Sequence, residues 1–318
     1  MLTRIVLVTR RTRLEELIER FNTRAQARFY IEHMGLDFAD YDREDDTYRR
    51  AVEQVEQGLV GLAERQQRID RSFLPNYLFA PQDLVVTVGQ DGLVVNTAKY
   101  LRGQPILAVN PDPERWTGVL LPFRAGDVRP AATGALAGTA RTRRITMAQA
   151  SLNDGQELLA FNDFLIGARS HVSARYQLTY NGKKEEQSSS GILVSTGAGS
   201  TGWLGSVQNM AQAVSGLLLD GPAPALPRLK MKWEDPRLIY VVREPYASRS
   251  TGAELAAGIL QAGETLQIES HMPEGGVIFS DGVENDALPF NSGAVATIGD
   301  RRGWSFERRV GLPEFGSP

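Results

Sequence analysis

Apolar residues along the chain recur with several different spacings, and each spacing dictates a different kind of element. Leu2 to Thr9 is an apolar run broken only by Thr3 and Arg4, the pattern of a buried first strand. Leu14, Leu17, Ile18, Phe21 and Ala25 then recur three and four apart, which predicts a helix with one buried face. A second stripe, Val52, Val55, Leu59 and Leu62, predicts a helix from about Asp45 to Gln67, with Asp45 and Asp46 suited to its N-terminus. Leu84-Val85-Val86-Thr87-Val88 is an unbroken run of the type buried on both faces in parallel sheets. Leu93 to Leu101 can form a helix, with Ala98 to Arg102 reading as helical. Pro105 to Val109 reads as a short buried strand ending at Asn110 and a proline turn.

Beyond about residue 130 the spacing shortens to two, and Gly, Asn and Pro separate brief alternating runs, which favours antiparallel strands. Tyr176, Leu178 and Tyr180 alternate with polar neighbours and run into Asn181-Gly182, a strong hairpin signal. Leu266 and Ile268, Val277 to Phe279, Val295 to Ile298 and Trp304 to Phe306 continue the pattern. The expected fold is an α/β N-terminal domain with a parallel sheet, residues 1–130, and a mostly antiparallel β C-terminal domain, residues 131–318. The Pro-rich stretch from Gly221 to Pro227 reads as a surface connection, and no internal repeat is evident.

Composition narrows the chemistry. The 318 residues carry 35 Lys plus Arg against 38 Asp plus Glu, a formal net charge of −3, so no global attraction to nucleic acid or anionic lipid is expected. With 42% hydrophobic and 23% charged residues the chain is that of a globular protein. It contains no cysteine, which excludes disulfide scaffolds, cysteine nucleophiles and iron–sulfur clusters. Its histidines, His33, His171 and His271, are too dispersed for a helix-borne metal pair. The longest uncharged stretch, Gln187 to Leu219, is broken by serines, glycines and amides, so no membrane span is expected. No signal core or presequence is evident at the start, and a cytoplasmic location is the expectation.

Four clusters stand out against this background. Gly89-Gln90-Asp91-Gly92 follows the buried strand and precedes a helical segment, where glycines let backbone approach a phosphate and a helix N-terminus favours negative charge. The alternative is a tight turn with Asp91 as N-cap. Ser195 to Trp203 interleaves glycines with hydroxyls and one aromatic, suited to holding a ribose and stacking a base, or else to a purely structural loop. Gly197 to Gly202 also matches the dinucleotide pattern G-x-G-x-x-G, with Asp220 near the distance of a ribose-binding acid, but an antiparallel hairpin precedes it where a βαβ unit is required. Asn162-Asp163 places two polar residues inside an apolar run, costly unless paired, although a bulge or turn would account for them. Val242 to Tyr246 and Phe279 to Gly282 are polar clusters at strand ends, each compatible with a surface loop. No G-x-x-x-x-G-K-[ST] pattern occurs.

In this order the clusters resemble the motifs of the NAD kinase family, whose members transfer a phosphoryl group to the 2′-hydroxyl of the adenosine ribose of NAD. Gly89 to Gly92 resembles that family's G-G-D-G, Asn162-Asp163 its N-E or N-D pair, Gly199 to Trp203 its G-S-T-A-Y, and Ser280-Asp281-Gly282 its late D-G. Val109 to Arg115, Asn162 to Gly167, Ser189 to Gly191 and Val242 to Pro245 are most similar to the mitochondrial branch. Gln90 stands where the family has a second glycine, and a Cβ there raises the cost of any positive φ and fills space a phosphate would use. Leu93 replaces a common threonine, and Gly202-Trp203 replaces Ala-Tyr.

The resemblance implies that Asp91 orients and helps deprotonate the ribose hydroxyl, with Gly89, Gln90 and Gly92 at the donor phosphates. It places NAD against Asn162, Asp163, Gly199, Ser200, Thr201 and Trp203. It implies ATP and NAD as substrates, Mg²⁺ with the ATP, a homodimer or other homo-oligomer, and neither a nucleic-acid nor a membrane partner. Three rivals remain at this point. One is a non-catalytic NAD(P) or nucleotide sensor, and another is a lipid or sugar kinase with a related loop. The third is a dehydrogenase using Gly197 to Gly202, for which no acid or base candidate is found.

Overall fold

The computed structural model describes residues 2–218 and 227–308, and of residues 302–308 the backbone only. It divides into two compact units, one formed by Met1–Arg143 with Ser305–Pro318 and the other by Arg144–Trp304. The boundary expected at residue 130 falls within a helix of the first unit.

The first unit runs β1 (Arg4–Thr9), α1 (Arg13–Phe21), α2 (Arg24–His33), α3 (Phe38–Leu59), β2 (Arg65–Asp70), β3 (Asp83–Val88), α4 (Asp91–Ala98), β4 (Ile106–Asn110), β5 (Phe123–Arg124) and α5 (Val128–Leu136). Its sheet is parallel in the order β2-β1-β3-β4, with β5 beside β4. The apolar runs of β1, β3 and β4 are buried along almost their whole length, as expected of strands covered on both faces. Tyr48, Val52, Val55 and Leu59 of α3 and Val128, Ala132 and Ala135 of α5 pack against Ile5, Leu7, Leu84, Val86, Val88, Leu107 and Val109.

Three sequence expectations need correction here. The stripe from Leu14 to Ala25 is not one helix: Asn22 takes a left-handed φ of 65° that ends α1, Thr23 caps α2, and Ala25 is exposed. The next helix starts at Phe38 and not near Asp45, because Asp37 caps it by accepting the Ala39 N–H. Asp45 lies mid-helix and buried, accepting the Thr12 hydroxyl at 2.5 Å and pairing with Arg49 at 2.8 Å. Residues 65–67, expected in that helix, belong to β2, whose Arg-Gln-Gln-Arg-Ile-Asp sequence lacks apolar alternation because it is the sheet's edge and four of its six residues are exposed. Ala98 closes α4, so the run to Arg102 leaves the helix at once.

The second unit contains β6 (Arg141–Leu152), β7 (Glu157–Ala160), β8 (Asp163–Ala168), β9 (Ala174–Tyr180), β10 (Lys183–Ser189), β11 (Ile192–Ser195), α6 (Trp203–Leu218), β12 (Leu238–Val242), β13 (Ala257–Leu260), β14 (Leu266–Ser270), β15 (Gly276–Ser280), β16 (Val283–Pro289) and β17 (Val295–Arg308). The first residues of β6 and the last of β17 count with the first unit. One sheet orders β10-β9-β14-β17, with β6 beside β17 and β7; the other is β13-β12-β11-β8-β15-β16. Alternate residues of both, among them Phe164, Ile166, Tyr176, Leu178, Ile192, Val194, Tyr240, Leu266, Ile268 and Ile278, form one core. The period of two thus becomes a sandwich. The Asn181-Gly182 turn joins β9 to β10 with φ of 49° and 74°, as the hairpin signal requires. The helix α6 has no counterpart in the sequence expectations; Leu204 and Val207 lay it on Leu193, Ile239 and Val241, the outer face of the second sheet. No helix among the described residues is long and apolar enough to cross a membrane. The Pro-rich stretch at 221–226 lies outside the described residues, as does Asp220.

Candidate active site

In the first unit the Gly89–Gly92 loop closes the C-terminal end of β3 and opens α4, the strand-to-helix geometry that aims backbone N–H groups at an anion. Gly89 N–H donates to Val109 O at 3.2 Å, which ties the loop to the neighbouring strand β4. The cap of α4 is Gln90, not Asp91, and Gln90 makes no side-chain capping bond. Its φ of −84° and ψ of 170° are ordinary extended values. The strain expected of a side chain in place of glycine is therefore absent, since this position does not use the left-handed region. Around Gly92 the position a Cβ would occupy is open, with nothing within 4 Å.

Asp91, in the first turn of α4, places one carboxylate oxygen on the Val119 N–H at 3.0 Å and the other on the Leu120 N–H at 2.9 Å. It thus anchors the segment that follows β4. That segment is closed on itself as well. Asn110 donates to Trp116 O at 2.8 Å and accepts the Asp112 N–H at 3.0 Å, while Arg115 grips Asp40 of α3 through both terminal nitrogens. Arg115, together with Arg13, holds the Asp40 carboxyl down at about 2.

In the second unit the structure brings together Asn162, Asp163, Gly199 and Ser200, and it adds Asp281, to which the sequence assigned no binding role. Asp281 sits at the turn after β15 with φ of 54°, a conformation aspartate tolerates. Its carboxylate accepts the N–H groups of Phe161 at 2.9 Å, Asn162 at 2.6 Å and Asp163 at 3.3 Å, and its own N–H donates to Asp163 O at 3.0 Å. The break between β7 and β8 is the turn that sequence allowed for, satisfied by this one carboxylate. The signal for Asp281 was present in Ser280-Asp281-Gly282, a polar cluster at a strand end.

Asp163 is buried, 8% exposed, and no hydrogen bond reaches its carboxyl among the described residues. Burial, and next the nearby negative charge of Asp281, push its pKa up to about 7. Two neighbouring carboxyls thus differ in character: Asp281 is held by three N–H donors, while Asp163 is poised to carry a proton near neutrality.

The Gly199 loop is fastened to the same turn. Thr196 N–H donates to Asn162 O at 2.9 Å, and the Thr196 hydroxyl donates to Phe161 O at 2.6 Å and accepts from Gly199 N–H at 3.2 Å. A Cβ on Gly199 would collide with the Asn162 carbonyl, so glycine is required by close approach. Ser200, 2% exposed, donates to Gly197 O at 2.7 Å and accepts the Met231 N–H at 3.3 Å. Its hydroxyl is engaged in ordering the loop, whereas Thr201 and Gly202 are exposed. Trp203, half-buried at the start of α6, packs on Leu193, Leu204 and Ile239, with the Arg243 guanidinium 5.4 Å from its ring centre. β11 lies antiparallel between β8 and β12, so the loop after it is not the turn of a βαβ unit and the dinucleotide pattern at Gly197 to Gly202 lacks its context.

Among solved structures the chain resembles an NAD kinase from Archaeoglobus fulgidus in complex with ATP, with a TM-score of 0.55 and 16% identity over 97% of this chain and 94% of that one. It also resembles yeast NADH kinase complexed with NADH, with a TM-score of 0.55 and 15% identity over 98% of this chain and 84% of the other. The chain has an NAD kinase-like fold. No protein-family model matches it, and no curated protein matches it by sequence. A parallel N-terminal sheet joined to antiparallel sheets is therefore a likeness of fold to these kinases, whose own ligands in those structures are ATP and NADH.

Proposed function

We propose that this protein phosphorylates NAD at the 2′-hydroxyl of its adenosine ribose, using ATP and releasing ADP. The observation that carries the reading is the Gly89–Gly92 loop: a strand-to-helix turn at the C-terminal end of β3, open at Gly92 and carrying Asp91, in a chain with the fold of two kinases of NAD or NADH. The N-terminal N–H groups of α4 would receive the donor phosphates. The acceptor would bind at the second unit's cluster, where Asn162 and Asp163 offer hydrogen bonds to a ribose and a base. Asp281 and Ser200 would act by holding that cluster in shape.

In the transfer the 2′-oxygen forms a bond to the γ-phosphorus while the bond from that phosphorus to the β,γ-bridging oxygen breaks. ADP leaves with the bridging electron pair, and the hydroxyl proton passes to Asp91 and then to solvent. Phosphoryl transfer asks the protein mainly for positioning and charge stabilisation, which suits a site with one carboxylate at a phosphate loop. No group of three metal-ligating side chains is present among the described residues, and both Asp91 oxygens already accept backbone N–H groups. Magnesium would enter with ATP, held largely by its phosphates.

Incubating the protein with ATP, Mg²⁺ and NAD and assaying NADP and ADP tests the proposal. Equal amounts of the two products support it. Stabilisation by NAD with no ADP released from ATP would instead identify a sensor.

A further inference from the structure

Helix α3 carries Asp40, Glu44 and Tyr48 one turn apart on a single face, and each of the three grips a different part of the first unit. Asp40 accepts from Arg115 at 2.8 and 3.2 Å, and Arg115 belongs to the segment whose Val119 and Leu120 N–H groups meet Asp91. Glu44, buried, pairs with Arg10 at 3.1 Å and with Arg13, which also reaches Asp40 at 3.0 Å. Tyr48, only 4% exposed, reaches the sheet itself.

The β1–β3 ladder ends at the pair Val8 and Thr87. Just beyond it the two strands are joined through the Tyr48 hydroxyl, which accepts the Arg10 N–H at 2.8 Å and donates at 2.9 Å to the carbonyl of Val88, the residue before Gly89. Burial pushes the pKa of this phenol up to about 12, so the hydroxyl keeps the proton it donates throughout the neutral range. The ring is fixed as well: it packs in the core of the first unit, with the Arg10 guanidinium 5.0 Å from its centre.

The Gly89–Gly92 loop is therefore supported differently on its two sides. Toward β4 the backbone bond from Gly89 to Val109 holds it. Toward β1 the ladder has already stopped, and a side chain of α3 takes its place. The same face of α3 fixes, through Arg115, the segment on which Asp91 rests. One helix thus registers both the entry to the loop and the partner of its carboxylate.

We propose that Tyr48 is a positioning residue for phosphoryl transfer: by fixing the Val88 carbonyl it holds the Gly89–Gly92 loop, and with it Asp91, in the geometry the reaction needs. The inference rests on the kinase reading and adds to it a residue of α3 that acts through the loop. Misplacing a reacting group by about 1 Å can cost roughly 10²-fold in rate, so a loop released from one of two supports is expected to lose about tenfold.

Tyr48→Phe removes the hydroxyl and keeps the packed ring. The full chain and this variant are assayed for NADP with ATP and NAD varied in turn, at a temperature where both are folded, and amide exchange is followed in parallel at residues 89–93 and in β11 of the second unit. The variant is expected to show a kcat about tenfold lower with KM for NAD within about twofold of the parent. Exchange at 89–93 is expected to speed up at least about tenfold while β11 stays unchanged. A purely structural hydroxyl would lower the melting temperature and leave the kcat of the folded protein where it was. A kcat within about twofold of the parent therefore overturns the inference, as does exchange at 89–93 that is unchanged or no more accelerated than in β11. If the parent makes no NADP, the kinase reading falls, and exchange alone decides whether Tyr48 holds the loop: acceleration at 89–93 without β11 supports it, and its absence overturns it.

Discussion

The carboxylate of Asp281 accepts the backbone N–H of Asn162 at 2.6 Å, across 119 residues of sequence. With the neighbouring N–H groups of Phe161 and Asp163 it satisfies a whole turn that has no strand partner. Asp281→Ala would leave these donors without an acceptor, at about 1–3 kcal/mol per buried group before relaxation. We expect a loss of at least about 2 kcal/mol in urea unfolding, with Asp281→Asn milder because it keeps one acceptor oxygen and tolerates the left-handed φ. A loss below about 0.5 kcal/mol for Asp281→Ala would show that the turn does not depend on this clamp.

Asp163 makes stability pH-dependent in a defined direction. Its pKa of about 7 in the folded protein lies above the ordinary value of 3.8, so the folded state holds the proton more tightly than the unfolded chain. The cost of burying the carboxylate is absent below about pH 4, grows as pH rises, and is complete above about pH 7. Asp163→Asn should therefore gain on the parent as pH goes from 4 to 8, by up to about 4 kcal/mol. Unfolding curves at several pH values check this, and a parent–variant difference that stays flat contradicts it.

Gln90 caps α4 without a side-chain bond and at an extended φ. Replacing it by glycine relieves no strain and removes no hydrogen bond, so Gln90→Gly should change stability by less than about 1 kcal/mol. The apparent KM for ATP should move less than tenfold, about 1.4 kcal/mol. An inert parent revived by this substitution would overturn the kinase reading in favour of a sensor.

Asp91→Asn has two consequences that separate cleanly. An amide offers one acceptor oxygen where the carboxylate offers two, so either Val119 or Leu120 loses its partner, at about 1 kcal/mol of stability. Loss of the proton acceptor should lower NADP formation by roughly 10² to 10⁴. Retention of more than half the parent rate would reduce Asp91 to an anchor of the segment after β4.

The sheet strands were legible because burial forces apolar periodicity: β1, β3, β4 and the β9–β10 hairpin stand where the spacing puts them. β2 escaped because an exposed edge strand needs no apolar face, and the α1–α2 break escaped because one left-handed asparagine interrupts an otherwise continuous stripe. α6 was missed for a different reason: a helix lying on the outer face of a sheet, with only Leu204 fully buried, leaves little amphipathic signal. Within the site, the glycines and paired polar residues marked the right loops, but which side chains face outward depended on contacts far along the chain. Ser200 is turned inward by Gly197 and Met231, and Asp281 reaches back to Asn162, neither of which spacing encodes.

Phosphoryl transfer itself is read by incubating the purified protein with ATP, Mg²⁺ and NAD and following NADP with an NADP-specific dehydrogenase and ADP in parallel. NADP and ADP are expected to accumulate together in a one-to-one ratio, and both to fall by roughly 10² to 10⁴ in Asp91→Asn. ATP left intact while NAD still stabilises the fold, or ADP released without NADP, would contradict it.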